Sequence, residues 1–292
     1  MKLLIIGARG QLGRDCQTAL GADHELTCLD LPEIDITSID AVRRWMRRMT
    51  PDAVVNCAAY TRVDEAERQP DLCHRVNADG PANLAACCTE HHARLIHIST
   101  DYVFDGRLPP GRAYTEDDRP NPLGVYGRTK LAGERPVLDC PLGAVLRTAW
   151  LYGAAGPNFP LTMLRLARRE PRQPLRVVDD QWGTPTWSGR LARQIGRLLE
   201  DFQPGLYHAT SQGACTWHAF ATRVLACMEI PAEIIPIPTS AYPTPAPRPA
   251  NSVLENRNLA RAGLEVMIPW EADLEAFAAL YRDEWLRRVQ SA

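Results

Sequence analysis

Through the first half of the chain, short apolar runs alternate with longer amphipathic stretches. Lys2–Ile6 is an apolar run ending at a glycine loop. Glu25–Leu29 reads as a second strand, and Ala53–Cys57, Leu95–Ser99 and Gly143–Arg147 have the same character. Between them Gln11–Leu20 reads as a helix. Ile39–Met49 sets Ile39, Val42, Trp45, Met46 and Met49 at helical spacing, with four arginines interleaved. Runs that are apolar without alternation are buried on both faces, and strands alternating with helices imply βαβ units. The pattern therefore predicts an α/β fold, a Rossmann-type doubly wound parallel sheet with right-handed crossovers.

The character changes after about Ala155. Val177-Val178 and Leu206–His208 read as strands, and Gly189–Leu199 and Thr216–Met228 as helices. Seven prolines then fall between Pro231 and Pro249, a density that would suit a stiff linker. Only 43 residues (292 − 249) follow, ending in the helix-like stretch Glu271–Arg288, which is too little for another domain. The segment is expected to be a long ordered loop of a smaller C-terminal substrate-binding lobe. Residues 1–155 are expected to form mainly the dinucleotide-binding domain and 156–292 mainly the lobe, with interleaving segments.

A formal net charge of -2 exerts no general pull on nucleic acid or an anionic membrane. No nucleic-acid or membrane partner is expected, and any anionic ligand must be held by local residues. No stretch approaches the eighteen or so apolar residues of a membrane span, so a cytoplasmic location is expected. Nine cysteines contain no Cys-x-x-Cys pair and read as small buried hydrophobes of a reducing compartment, not as a zinc site or a disulfide framework. His91 and His92 are adjacent and so point to different helix faces. They read as a solvated helix end, and Arg43–Arg48 as a solvated helix face.

Gly7-Ala8-Arg9-Gly10-Gln11-Leu12-Gly13 follows the first strand and opens the first helix. Glycines there permit a tight turn and close approach of backbone amides to a pyrophosphate, whose charge faces the helix N-terminus. Asp30, at the end of the second strand, can accept from an adenosine ribose and favours NADH. Arg9 can hold a 2′-phosphate and favours NADPH, or is simply a solvated loop charge. Asp35-Ile36 are candidates to flank the adenine. Asn56-Cys57-Ala58-Ala59-Tyr60-Thr61 lies at a later strand end, where the small residues Ala58 and Ala59, with Tyr60, leave room for nicotinamide.

Tyr126-Gly127-Arg128-Thr129-Lys130 sets tyrosine and lysine four apart, on one face of a helix. A neighbouring ammonium would lower the phenol's pKa toward neutrality, and the same lysine can bind the nicotinamide ribose. Thr100, at the end of the run Leu95–Ser99, can hydrogen-bond the carbonyl that Tyr126 protonates. Asn77 is read either as orienting Lys130 through a water or as a buried polar residue.

Gly7–Gly13, the Thr100 strand end and the Tyr126/Lys130 pair together resemble an extended short-chain dehydrogenase/reductase. Ser99-Thr100-Asp101-Tyr102-Val103-Phe104, Val125–Glu134, Arg147-Thr148-Ala149-Trp150, Asp180–Thr186 and the proline-rich Thr239–Pro249 narrow this. In that order they resemble the dTDP-4-dehydrorhamnose reductase family over nearly the whole chain. The resemblance implies NAD(P)H-dependent reduction of the C4 ketone of dTDP-4-dehydro-L-rhamnose, a nucleotide sugar, in dTDP-rhamnose biosynthesis. Tyr126 is implied as proton donor, assisted by Thr100 and Lys130. Trp150 is implied at the sugar (a core aromatic being the other reading) and Arg248 at the nucleotide end, with Thr61, Val63, Asp101, Tyr102 and Asn158 as further substrate contacts. It also implies a possible homodimer with magnesium (Mg2+) at the contact, Asp15 matching one acidic ligand. Two rivals are weighed. A dehydratase would carry Asp-Glu after the threonine, but Tyr102 follows Asp101, and an epimerase would retain its NAD. A regulatory subunit resembling the β subunit of methionine adenosyltransferase need not keep Thr100, Tyr126 and Lys130, all present here.

Overall fold

The computed structural model describes residues 1–169 and 173–290. Six parallel strands form the central sheet: β1 (Lys2–Ile6), β2 (Glu25–Leu29), β3 (Ala53–Asn56), β4 (Arg94–Thr100), β5 (Gly143–Thr148) and β6 (Gly205–His208). Their spatial order is β6-β5-β4-β3-β1-β2. The register pairs Ile6 with Leu29 on one side and Asn56 on the other, so the ends of three strands lie together. The order reverses at β1, and the crevice beyond the strand ends at such a switch is where ligands bind in these sheets.

The described residues form eight larger helices, α1 (Gln11–Leu20), α2 (Ile39–Met49), α3 (Gly80–His91), α4 (Val125–Leu138), α5 (Phe159–Arg169), α6 (Ser188–Glu200), α7 (Trp217–Cys227) and α8 (Trp270–Gln290), of which α5, α7 and α8 belong to the lobe. Alternation along β1 divides its side chains between two cores. Leu3 and Ile5 pack with Leu12 and Cys16 of α1 and Leu191 and Ile195 of α6. Leu4 and Ile6 pack with Val42 and Met46 of α2 and Leu84 and Cys87 of α3. A third core joins Tyr152, Leu161, Phe220, Leu274, Phe277 and Trp285 and forms the lobe. The sheet thus draws β6 and α6 from beyond residue 155, while Tyr152 belongs to the lobe.

The proline-dense segment is more ordered than a loop. Ile234–Ile237 pairs in parallel with Leu175–Val178, aligning Pro236 with Val177. A two-stranded sheet has only edges, and there a proline's missing N–H leaves no inner ladder bond unmade. Six cysteines are buried, but Cys57 and Cys227 are half-buried and Cys28 is exposed, so the expectation of buried hydrophobes fails for these three. His91 ends α3 and His92 is its left-handed cap. Among the described residues no helix is long and apolar enough to cross a membrane.

Candidate active site

A cleft of about 590 Å³ opens at the strand ends, lined by Arg9–Gly13, Cys57, Ala59, Thr61, Ser99–Asp101, Tyr126, Lys130 and Trp150. A second cavity of about 240 Å³ shares Gly10, Cys57 and Ala59 with it and reaches Asp30, Asp35, Ile36 and Ala58. Together they make one groove, running from the end of β2 to the end of β4.

The glycine loop forms its floor. Gly7 has φ +75, and a Cβ there would stand 2.6 Å from the Ala58 nitrogen, so only glycine lets the turn approach the loop after β3. Asp30 is held by the chain itself, accepting from the Arg9 amide (2.8 Å) and the Leu31 amide (2.8 Å). It therefore ties the glycine loop to β2. The Arg9 guanidinium reaches the Leu31 carbonyl (2.7 Å) and pairs with Glu33. Asp35 closes a turn by accepting from the Thr37 amide, and Ile36 is buried beside it.

Thr100 ends β4, and its hydroxyl donates to Asp101 (3.1 Å) while accepting from the Tyr102 amide. Helix α4 then brings Tyr126 and Lys130 to the same end of the groove. Burial is the main cause that pushes the Tyr126 phenol above its ordinary range, opposed in part by its hydrogen bond with Thr100. This departs from the expectation that Lys130 lowers it, because Lys130 Nζ is engaged elsewhere, 2.5 Å from the Ile98 carbonyl and 3.2 Å from His97 Nε2. Burial also pushes Lys130 down to about 8. Asp101 is 3% exposed, one carboxylate oxygen lacks any partner, and burial raises its pKa to about 7.

Other expected residues divide in placement. Trp150 lines the groove with its backbone in the left-handed region (φ 45), and its indole stacks on Trp217 at 3.4 Å and 7°. Thr61 lines the groove, whereas Val63 only opens the short helix Val63–Ala66. Tyr102 and Arg248 face a neighbouring cavity of about 430 Å³ that also holds Asp64, Gln181 and Trp217. Arg248 pairs with Asp64 (2.9 Å), and its Nη1 is buried without a partner. Asn158 does not line the groove. It caps α5 through the Leu161 amide and reaches Gln11 of the glycine loop (3.0 Å). Asn77 clamps the Tyr60 backbone from both sides (2.8 and 3.0 Å), which positions the loop after β3 and leaves Lys130 to His97. The magnesium expected at Asp15 finds no support. Burial raises that carboxyl's pKa, Ser188 donates to it, and no group of metal-ligating side chains exists among the described residues.

Sequence reasoning missed the support beneath the groove. Glu134 accepts from Arg147 (2.9 and 2.6 Å) and from Ser99 (2.5 Å), and both members of the ion pair are 2% exposed. Their signal was available: a charge within a strand covered on both faces must find a buried partner. His97, midway along β4, is the same case.

Comparison with known proteins agrees with this geometry. The model of the RmlD substrate binding domain family matches residues 1–282. A dTDP-4-dehydrorhamnose reductase of Streptomyces griseus is 45% identical over 95% of this chain and 93% of its own length. The crystal structure of a dTDP-4-dehydrorhamnose reductase from Clostridium acetobutylicum superposes with a TM-score of 0.93 at 40% identity, covering 97% of this chain and 100% of that one. One from Bacillus anthracis, solved in complex with NADP, has a TM-score of 0.91 at 36% identity, covering 94% and 98%.

Proposed function

The chain belongs to the RmlD substrate binding domain family, and from that premise we propose that it reduces the C4 ketone of dTDP-4-dehydro-L-rhamnose to dTDP-L-rhamnose with NADPH. The observation that carries this reading is the groove itself. One end holds the glycine loop and the end of β2, and the other holds Thr100, Tyr126 and Lys130.

The groove fits a dinucleotide. Gly7 is backed so closely by Ala58 that a side chain is excluded, and the amides opening α1 face the space left for a pyrophosphate. Ile36 lines the cavity at the adenosine end, with Arg9 beside it for a 2′-phosphate. Asp30 is already committed to two backbone amides, which supports NADPH over NADH, as does the NADP held by the relative from B. anthracis. When bound, the reduced nicotinamide supplies hydride to the ketone carbon.

The chain's own residues do the rest. Tyr126 is kept protonated by its buried surroundings, as a proton donor must be, and gives that proton to the oxygen as negative charge develops there. Thr100 turns its one hydroxyl proton from Asp101 to the same oxygen and fixes the ketone against the phenol. Trp150 presents a flat apolar face for the deoxysugar. Arg248 holds the nucleotide end, where its unpartnered Nη1 is a ready donor to a phosphate or a base carbonyl.

The test is oxidation of NADPH by enzymatically generated dTDP-4-dehydro-L-rhamnose, with the product identified, in the wild type and in Tyr126→Phe. Turnover to dTDP-L-rhamnose that drops by roughly 10²–10⁴ in the variant is expected, the usual weight of a positioned general acid. Protein that binds NADPH yet leaves this sugar unchanged would sink the proposal.

A further inference from the structure

Thr100 Oγ1 takes the Tyr102 amide at 3.2 Å and lies 3.1 Å from Asp101 Oδ1. A hydroxyl owns one proton and two lone pairs, and its proton rotates to suit its surroundings. Two oxygens at 3.1 Å attract each other only when a proton lies between them. With Asp101 ionised, that proton must be the threonine's own, and none remains for a ketone in the groove. Once Thr100 and Tyr126 both turn their protons to the ketone, the contact with Asp101 survives only if the carboxyl brings a proton itself. The count then closes. Oγ1 accepts from the Tyr102 amide and from the Asp101 carboxyl, and donates to the ketone.

The surroundings of the carboxyl favour that form. Asp101 opens the short turn Asp101–Val103 at the wall of the groove and is 3% exposed. Its Oδ2 is buried without a partner, so charge shared with that oxygen would lie unsolvated. The titratable groups facing it are the phenols of Tyr102 and Tyr126, with Arg248 and Asp64 beyond Tyr102 and the Ser252 hydroxyl beside it. Arg248 is already paired with Asp64, and Lys130 is held on the Ile98 carbonyl, so neither serves as its counter-ion. Burial outweighs the hydrogen bonds from Ser252, Thr100 and the backbone and sets the carboxyl at about 7.

We propose that Asp101 is a positioning residue that works in its protonated form, donating to Thr100 Oγ1 and so freeing the threonine proton for the ketone. The proposal rests on the reductase reading above. Asp101 acts through Thr100, and ionisation of the carboxyl takes the threonine proton back, leaving the ketone with Tyr126 alone. The support is therefore complete at low pH and fades as pH rises through the value of this carboxyl.

The first measurement needs neither cofactor nor sugar. Infrared difference spectra of wild type against Asp101→Asn should contain the carbonyl stretch of a protonated carboxyl near pH ~5.5, fading through about 7. A wild type without that band at the acid end overturns the proposal. Next, kcat/KM for dTDP-4-dehydro-L-rhamnose is followed at saturating NADPH from pH ~5.5 to ~8.5. It should fall across the infrared midpoint toward a lower plateau, since one donor to a developing alkoxide is worth roughly 10²–10³. In Thr100→Val the rate should start at the lower level and show no such fall, because no threonine proton is left to free. In Asp101→Asn the carboxamide donates at every pH, so the fall at that midpoint should vanish, and any later decline near 8 belongs to Lys130. A fall that keeps the wild-type midpoint in either variant overturns the proposal. Should Asp101→Asn not fold, Thr100→Val decides. A wild type that turns the sugar over with a flat profile defeats this proposal alone, whereas one that leaves the sugar untouched at every pH defeats the reductase reading with it.

Discussion

At the scale of single residues, the groove's chemistry is set by which polar atoms the chain itself has already satisfied. Asp30 has both oxygens on backbone amides, while the Arg9 guanidinium rests on an exposed partner, Glu33, that a phosphate can displace. Arg9→Ala is therefore expected to raise KM for NADPH by about ten- to a hundredfold, the range of one charge-assisted hydrogen bond. KM for NADH should stay nearly the same, and an equal loss for both would remove Arg9 from the 2′-phosphate. Asp101 makes a prediction in pH. Its pKa is raised to about 7 in the folded protein, so between the unfolded carboxylate range and that value the native state binds more protons. Stability contributed by the protonated form is present at low pH and falls as pH rises through this window. Asp101→Asn should gain in melting temperature relative to wild type as pH goes from about 4 to about 8, and a constant difference would place the native carboxyl's pKa in the ordinary range. The sequence placed Thr100, Tyr126 and Lys130 together because motif spacing carries that information. It was silent about Asp101's missing partner and about His97, since hydrogen-bond satisfaction depends on atoms from strands far apart in the chain.

At the scale of elements, α4 is the part on which the site turns, because Tyr126 and Lys130 share it. Its approach to the neighbouring turn is set by Gly133, where a Cβ would stand 2.1 Å from the Asn77 carbonyl. Asn77 lies in the π-helical turn Arg75–Asp79, and its side chain holds the Tyr60 backbone. Gly133→Ala should thus push the helix and the loop after β3 apart, destabilising by about 1–3 kcal/mol and lowering the melting temperature by several degrees. Both kcat and cofactor affinity should fall with it. An unchanged melt with normal kinetics would mean that the turn yields freely. The helices and the sheet strands were readable because a 3.6-residue period and short unbroken apolar runs are written locally. Gly189–Leu199 became Ser188–Glu200, and Leu95–Ser99 became Arg94–Thr100. The π-helical turn and the strand Ile234–Ile237 were not readable. The first is imposed by packing against α4, and the second exists only because Leu175–Val178 lies beside it.

At the scale of the whole molecule, the question is whether the cofactor half is a unit by itself. Periodicity suggests a boundary near residue 155, because the first five strands and the glycine loop precede it. The packing puts the division elsewhere. Helix α6 covers one face of the sheet, with Leu191, Ile195 and Leu198 fully buried and Leu199 at 1% exposure, and β6 extends the ladder beyond β5. Removing residues 156–292 would uncover those contacts and leave β5 as a raw edge. Four buried side chains of this kind are worth roughly 1.5–3 kcal/mol each, and together they approach the 5–15 kcal/mol that holds a typical domain folded. A fragment of residues 1–155 is therefore expected to lack a cooperative thermal transition and dispersed amide resonances, although it contains Thr100, Tyr126, Lys130 and the entire glycine loop. The full chain should melt in one transition that NADPH shifts upward, because the ligand binds only the native state. If the fragment melted cooperatively and bound NADPH, α6 and β6 would be additions to a self-sufficient domain. The lobe would then be a module attached to a finished cofactor site, instead of part of the sheet that forms it.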